Sequence, residues 1–386
     1  MVNDLPCDEK AVSSFVEVLK RDLPDPRDNR GKRHSLVLVV VGFVLATLTG
    51  RRKLSSVHRF MVNRLDWLHG LTQLPEGRPI SRAQLPRLLA RLDWSALDRL
   101  IERCFGVRIG SGDGRAWVAV DGKILRGALE GGEKQGLVMA TAHGTGEVVG
   151  QARQIGSKSS EIPVVRELLR ETGLDGRKVS LDAHHCNPQT TAQIHQAGGV
   201  YLIQVKANQT VLMRQCQTVA ESGPALAGTT AHDKANGRVT TRHARLFPMP
   251  EAAPAPRWSR SGLSACVVVE RETFEIATRK TTAETSYYIS NQAIDGAAPR
   301  PCVEELARAV RQHWGVESNN WIRDVTFDED NIKTKSGNQA HIMGRLRGLT
   351  IELLRRTQVK NLQATIERFV DSVSDLELML RQVNFL

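Results

Sequence analysis

The sequence predicts an α/β chain: a small all-helical N-terminal segment, then a core of strands and helices carrying a β-rich insertion. Three observations predict this. Up to about residue 107, apolar residues recur at helical spacing. Beyond Gly110-Ser111-Gly112-Asp113-Gly114, which reads as a linker, the pattern changes to short apolar runs closed by turn signals. Between 224 and 290 strand-like runs follow one another without helices between them. The chain therefore divides into 1–109, 110–223, 224–290 and 291–386.

In the first segment, Ala11 to Leu19 is amphipathic, and a Pro- and Arg-rich link follows from Leu23 to His34. An apolar helix begins at Leu36 and ends before Arg51-Arg52-Lys53. Ser55 is placed to cap the next helix, Ser81 opens another, and Trp94-Ser95-Ala96-Leu97 begins a fourth. In the core, 116–121, 137–142 and 147–154 read as three strands, followed by a helix at 162–171 with Pro163 at its start. Strand 178–182, helix 188–196, strand 200–205 and helix 210–221 complete an alternation that implies parallel pairing. In the insertion, 238–242, 265–271 and 287–289 look like strands. A long helix begins near Val303, and an amphipathic helix from Leu362 to Val383 closes the chain.

Composition narrows the partners. Fifty-three Lys and Arg stand against 42 Asp and Glu, a net charge of +11, which favours a polyanion such as nucleic acid. Residues 20–60 hold ten Lys or Arg against three Asp. This cluster, with Arg30, Lys32 and Arg33 at its centre, reads equally as a DNA-backbone contact or as a solvated face. Six scattered cysteines form no Cys-x-x-Cys pair, and the N-terminus has no leader-like pattern, so a reduced cytoplasmic setting is expected. Leu36 to Leu48 is 13 residues, short of the roughly 20 that span a bilayer, so no membrane is expected as partner.

Asp121 is the residue that points to chemistry. It closes the apolar run Trp117-Val118-Ala119-Val120, and Asp182 stands similarly after Val179-Ser180-Leu181. An ionised carboxylate in a buried strand is costly unless it meets a cation or a base. A third acid is sought on the long helix, whose apolar stripe is read as Val303, Leu306, Ala307, Val310, Trp314, Trp321 and Val325. The helical period puts Glu317 on that stripe, with Asp324 as its nearest competitor, then Asp328, Glu329 and Asp330. Three carboxylates suit Mg²⁺, with Mn²⁺ as substitute, better than Zn²⁺. Two such ions about 4 Å apart activate an attacking oxygen and stabilise a leaving oxygen in phosphodiester displacement. His184-His185-Cys186 suits local hydrogen bonding, or a supporting place behind metal ligands, better than direct metal binding, because adjacent side chains diverge. Lys123, Arg126 and Lys158 read as phosphate contacts or as surface ion pairs. Lys206, Asn208 and Gln209 either touch DNA or close a strand-to-helix turn.

The element order matches the ribonuclease H-like fold of polynucleotidyl transferases, and several motifs carry a closer resemblance. Asp25-Pro26-Arg27 through Arg30-Gly31-Lys32-Arg33-His34, Val120-Asp121-Gly122-Lys123 with Arg126-Gly127, and Lys158-Ser159-Ser160-Glu161-Ile162-Pro163 are three of them. Leu181-Asp182-Ala183, Lys206-Ala207-Asn208-Gln209 and His313-Trp314-Gly315-Val316-Glu317-Ser318-Asn319 follow in order. Trp321, Asp324-Val325-Thr326-Phe327, Glu329-Asp330, Gly337-Asn338 and Arg345-Leu346-Arg347 continue the match. Together they resemble the DDE transposases of bacterial insertion sequences, of the H-repeat-associated type. The resemblance implies a ribonuclease H-like core, with Asp121, Asp182 and Glu317 as the metal-binding triad. It implies Mg²⁺-dependent cleavage at element ends and strand transfer into target DNA. Related transposases carry Tyr, Arg and Lys around the third acid; Val310, His313 and Asp324 stand there in this chain. Double-stranded DNA is the expected partner, nucleoid association the expected setting, and a homodimer on DNA follows from handling two ends together. Two alternatives stay open: a transposase-derived DNA-binding protein without transposition activity, and a nuclease that cuts without joining.

Overall fold

The computed structural model describes residues 13–386 apart from 76, 107–115, 158–159, 251–254, 332 and 360. The expected linker at 110–114 and Lys158 lie outside the described residues. In chain order the first helices are α1 (Phe15–Asp22), α2 (Leu36–Leu48), α3 (Leu54–Asn63), α4 (Leu65–Thr72), α5 (Gln84–Arg91) and α6 (Trp94–Phe105). Then come β1 (Trp117–Glu130), β2 (Glu133–Ala142), β3 (Val148–Ile155), α7 (Glu161–Thr172), β4 (Lys178–Leu181), α8 (Pro188–Gln196), β5 (Val200–Val205) and α9 (Thr210–Ser222). They are followed by β6 (Ala227–Ala235), β7 (Arg238–Pro248), β8 (Ala265–Glu275) and β9 (Lys280–Ser290). The chain ends with α10 (Pro299–His313), α11 (Gly315–Trp321), α12 (Gly337–Arg356), α13 (Leu362–Asp371) and α14 (Val373–Gln382).

The chain forms two compact units: one takes in 1–107, 125–135 and 321–386, the other 108–124 and 136–320. In the first, the N-terminal helices do not close a core alone. Their buried residues share one apolar cluster with Ile342, Leu346 and Leu349 of α12 and with Phe369, Leu376 and Leu380. All 13 residues of α2 are buried, as its all-round apolarity predicts for a helix at the centre of a core. Ser35 caps it, accepting from the Leu38 amide at 3.2 Å. The link before it is folded: Arg27 pairs with Asp25 at 2.7 Å and donates to the His34 carbonyl at 3.0 Å. Ser55 does not cap α3, which starts one residue earlier at Leu54 with no side-chain cap. The closing helix is two helices, because Ser372 ends α13 and its hydroxyl accepts from the Asp375 amide, starting α14. No helix among the described residues is long and apolar enough to cross a membrane.

The strands make one sheet in the order β3-β2-β1-β4-β5-β9-β8-β7-β6. β1, β4 and β5 are parallel, and β9 pairs antiparallel with β5. The stretch expected as a β-rich insertion thus extends this sheet through β9, β8, β7 and β6 rather than building a second one. Its strands are longer than their apolar runs suggested. Outer strands pair through backbone groups and keep polar side chains in water, so β6 shows no apolar signal. Near its middle the second unit's sheet is buried on both faces. Val118, Val120, Val179 and Leu181 face α7, α8 and α9. Trp117, Leu202 and Val267 face α10. That double burial explains the near-continuous apolar strands.

The expected long helix does not exist. α10 ends at His313, Trp314 is its C-cap, and α11 is separate, followed by one wide π turn at Ile322–Thr326. The predicted stripe holds through Val310 and then fails: Trp314, Trp321 and Val325 are 42%, 60% and 48% exposed. The break at Gly315 shifts the helical phase, and Val316, Asn319, Ile322 and Arg323 become the buried face instead. Glu317 is therefore exposed rather than part of a core stripe.

Candidate active site

Parallel register places the two strand acids. Ala119 stands opposite Ser180 and Val120 opposite Leu181, so Asp121 and Asp182 follow at the same level of neighbouring strands. Side chains alternate across a sheet, so both acids share the α10 face with Ser180, while Gly122 turns toward α7. β1 runs on past Asp121, whereas β4 stops before Asp182. Asp182 then caps a single turn, its carboxylate accepting from the His184 amide at 3.0 Å. Both aspartates are half-buried, a compromise that leaves oxygens within reach of a ligand.

Glu317 lies on α11. Asn320, one helical turn later, donates through Nδ2 to Asp121 Oδ2 at 3.1 Å. Although Glu317 is exposed as a residue, desolvation of its carboxyl raises the pKa above the ordinary value, and the nearby Lys206 ammonium pulls it back. Lys206 is exposed just beyond β5. Asn208 and Gln209 lie in the single turn after β5. Their side-chain amides donate to the carbonyls of Ala183 and Cys186, each at 2.7 Å, and so tie down the turn that follows Asp182.

The other candidates separate by burial. Lys123 is 7% exposed. Arg126 is exposed and pairs with Asp330 at 3.3 Å. Glu329, a competitor for the third acidic role, is buried against Arg323 at 3.4 Å and Arg347 at 3.8 Å. It is committed to those guanidiniums. Asp324 is half-buried.

Carboxylate oxygens on Asp121, Asp182 and Glu317 are hard ligands of the kind that suit Mg²⁺. Among the described residues, however, no three His, Cys, Asp or Glu side chains are gathered tightly enough to hold one metal ion. The structure brings the two aspartates side by side. It brings Glu317 onto the helix that touches one of them.

Sequence reasoning assigns His185 local hydrogen bonding or a place behind metal ligands but names no partner for it, and assigns Glu161 no role. Glu161, in the first turn of α7, is fully buried, and so is His185. His185 Nε2 sits 2.9 Å from Glu161 Oε1 and 3.8 Å from Asp182 Oδ1. A Cβ on Gly122 would lie 2.0 Å from Glu161 Oε2. Gly122 is thus the residue that lets this carboxylate approach the strand, and its place directly after Asp121 was the available signal. Gly122→Ala is expected to destabilise the chain by about 1–3 kcal/mol through overpacking, measured by denaturant unfolding. An unchanged midpoint would show that Glu161 moves aside freely.

A second missed cluster lies on the α10 face. Ser180 Oγ bridges His143 Nε2 at 2.8 Å and His313 Nδ1 at 2.9 Å. Burial lowers both imidazoles from 6.5 to about 4; His313 depresses His143 further, while Asp182 partly opposes the shift of His313. Both are neutral at pH 7. Because the folded values lie below the unfolded ones, acid protonates the unfolded chain first. Stability is expected to fall as pH drops from about 6.5 to 4, on the order of 1 kcal/mol per pH unit per imidazole. Unfolding midpoints across that range, flatter in His143→Asn, provide the check.

Comparison with known proteins decides the family. Residues 113–351 match the family described as Transposase DDE domain, across both strand acids and the helix of Glu317. The chain belongs to this DDE transposase family. Residues 17–104 match the accompanying family described as DDE_Tnp_1-associated, which covers the N-terminal helices. The chain is 25% identical to Putative transposase YncI of Escherichia coli O157:H7 over 362 residues, covering 90% of this chain and 88% of that protein. It is 26% identical to H repeat-associated putative transposase YhhI of Escherichia coli (strain K12) over 353 residues, covering 87% and 89%. The expected resemblance to H-repeat-associated transposases is borne out.

Proposed function

We propose that this DDE family member cuts DNA at the ends of an insertion sequence and joins the freed 3′ ends to target DNA, using a ribonuclease H-like core. The carrying observation is the placement of Asp121 and Asp182 at one level of paired parallel strands, with the helix of Glu317 tied to Asp121 through Asn320. In this reading Asp121, Asp182 and Glu317 hold divalent cations, Mg²⁺ or Mn²⁺. When bound, these ions stabilise charge on the attacking and leaving oxygens. The acids carry no proton in the reaction; their work is to fix position and supply negative charge. Asn320 and the turn tied by Asn208 and Gln209 hold the two aspartates in place. Lys206, exposed near Glu317, is placed to meet a phosphate, and Arg126 is a second such candidate.

Duplex DNA as partner draws support from the first unit. A concavity of about 670 Å³ there is lined by Arg27, Arg30, Arg33, Arg78, Arg87 and Arg91. Arg27 is committed to Asp25, and Arg91 donates to the Pro26 carbonyl. Arg30, Arg33, Arg78 and Arg87 are exposed, and no ion pair engages them among the described residues. Among the described residues, Asp28 is the one acid lining this hollow, and the excess of guanidiniums around it suits phosphate oxygens. Lys32 lines the neighbouring hollow. Two element ends handled together imply two copies of the chain on DNA, with nucleoid association following from DNA binding.

The test is incubation of the full chain with end DNA, target DNA and Mg²⁺. Cleavage with joining is expected. Cleavage alone would make the protein a nuclease, and binding alone a transposase-derived DNA-binding protein.

A further inference from the structure

Glu161 and His185 are a buried ionisable pair behind the two aspartates that the proposed chemistry does not use. Both are fully buried, yet they sit beside two half-exposed aspartates. A buried carboxylate is retained only where it is paired and hydrogen-bonded. Here its two oxygens do different things. Oε1 faces His185 Nε2 at 2.9 Å, and the same nitrogen lies 3.8 Å from Asp182 Oδ1. Oε2 occupies the space that a side chain at position 122 would take, directly after Asp121. One carboxylate thus presses on the backbone beside the first aspartate and, through one imidazole, backs the second. It arrives from α7, while Ser180 and the aspartates face α10.

We infer that Glu161 and His185 are positioning residues that hold Asp121 and Asp182 in place for a divalent cation. The inference rests on the reading of these aspartates as cation ligands. Neither residue touches substrate. Glu161 fixes the orientation of the His185 ring, and the ring limits the swing of the Asp182 carboxylate. Gly122 is the third part, because any larger residue would displace Glu161. Groups behind metal ligands act in this way, and removing one typically weakens metal affinity or activity roughly 10- to 100-fold.

The experiment is a Mn²⁺ titration of the full-length protein followed by the electron paramagnetic resonance of free Mn²⁺, with thermal melting of each variant alongside. Glu161→Ala is expected to raise the half-saturating Mn²⁺ concentration by roughly 10-fold or more. Glu161→Gln, whose amide oxygen can accept the same hydrogen bond from His185, regains most of that loss. His185→Ala removes the ring while leaving Glu161 against Gly122, and is expected to bind Mn²⁺ as weakly as Glu161→Ala. If Glu161→Ala does not fold, His185→Ala and Glu161→Gln carry the comparison. Wild-type Mn²⁺ binding in a folded Glu161→Ala or His185→Ala, even with a lowered melting temperature, would overturn the inference and leave the pair a purely structural one. A Glu161→Gln as weak as Glu161→Ala would overturn positioning through the hydrogen bond. Asp121→Asn separates the two levels: if it binds Mn²⁺ like the wild type, the reading of the aspartates is wrong.

Discussion

Asp121→Asn is expected to abolish end cleavage and strand transfer while leaving DNA binding and folding intact. The amide has the size of the carboxylate and can still take the hydrogen bond that Asn320 donates at 3.1 Å, so α11 keeps its attachment. What disappears is the negative charge that would hold a divalent cation. A cation in this role supplies several kcal/mol of charge stabilisation, so the rate is expected to fall on the order of 10³-fold. Asp182→Asn and Glu317→Gln should behave alike, because residues that act as a unit lose most of the effect when any one is removed. Asp324→Asn is the control. Radiolabelled end DNA, followed for both nicking and joining, gives the readout. Activity surviving in Asp121→Asn would remove the triad. Activity surviving in Glu317→Gln but lost in Asp324→Asn would move the third role to Asp324.

Glu329→Gln is expected to be strongly destabilising to the first unit. Glu329 is 3% exposed and lies against two guanidiniums that are themselves 1% exposed, Arg323 and Arg347. Arg323 also donates to the Gly344 carbonyl at 3.0 Å, and Gly348 makes room for it, since a Cβ there would lie 2.7 Å from Nη2. Burial lowers the Arg347 pKa to about 10 even with Glu329 present to raise it. Neutralising Glu329 strands two buried positive charges, which typically costs about 3–5 kcal/mol. Asp98→Asn should cost less, because Arg345 would keep Glu352 at 2.9 Å. Urea unfolding of the three proteins measures both. A Glu329→Gln loss under about 1 kcal/mol would show that water reaches the pair.

These two cases show where sequence reasoning reaches and where it stops. Asp121 and Asp182 stood out because a carboxylate interrupts an apolar strand, a local anomaly visible in a few residues. The same logic named Glu317 for a reason the structure does not support. The helical period was carried through Gly315, where α10 ends and the phase shifts. The helix of Glu317 is still attached to Asp121, but through Asn320 and not through a buried stripe. Glu329 looked like a spare acid, since its partners Arg323 and Arg347 carry no sign of burial in their own composition. Asn208 and Gln209 stood between two readings, and their bonds to Ala183 and Cys186 favour the turn.

The order of elements from β1 to α9, the apolar centre at α2, the two strand acids and the family were all written in the chain. Each depends on a local pattern: spacing of apolar residues, a charge in the wrong place, or a run of motif residues. Other features needed the folded chain. These are the single sheet running from β3 to β6, the helical unit completed by α12, α13 and α14, and the Glu161–His185 pair behind the aspartates. All of them are contacts between segments distant in sequence. Gly122 and Glu161 look ordinary alone, and only their close approach makes the glycine necessary. Backbone pairing and buried ion pairs are set by which partners arrive, and a one-dimensional pattern records a residue's own preference without naming its partner.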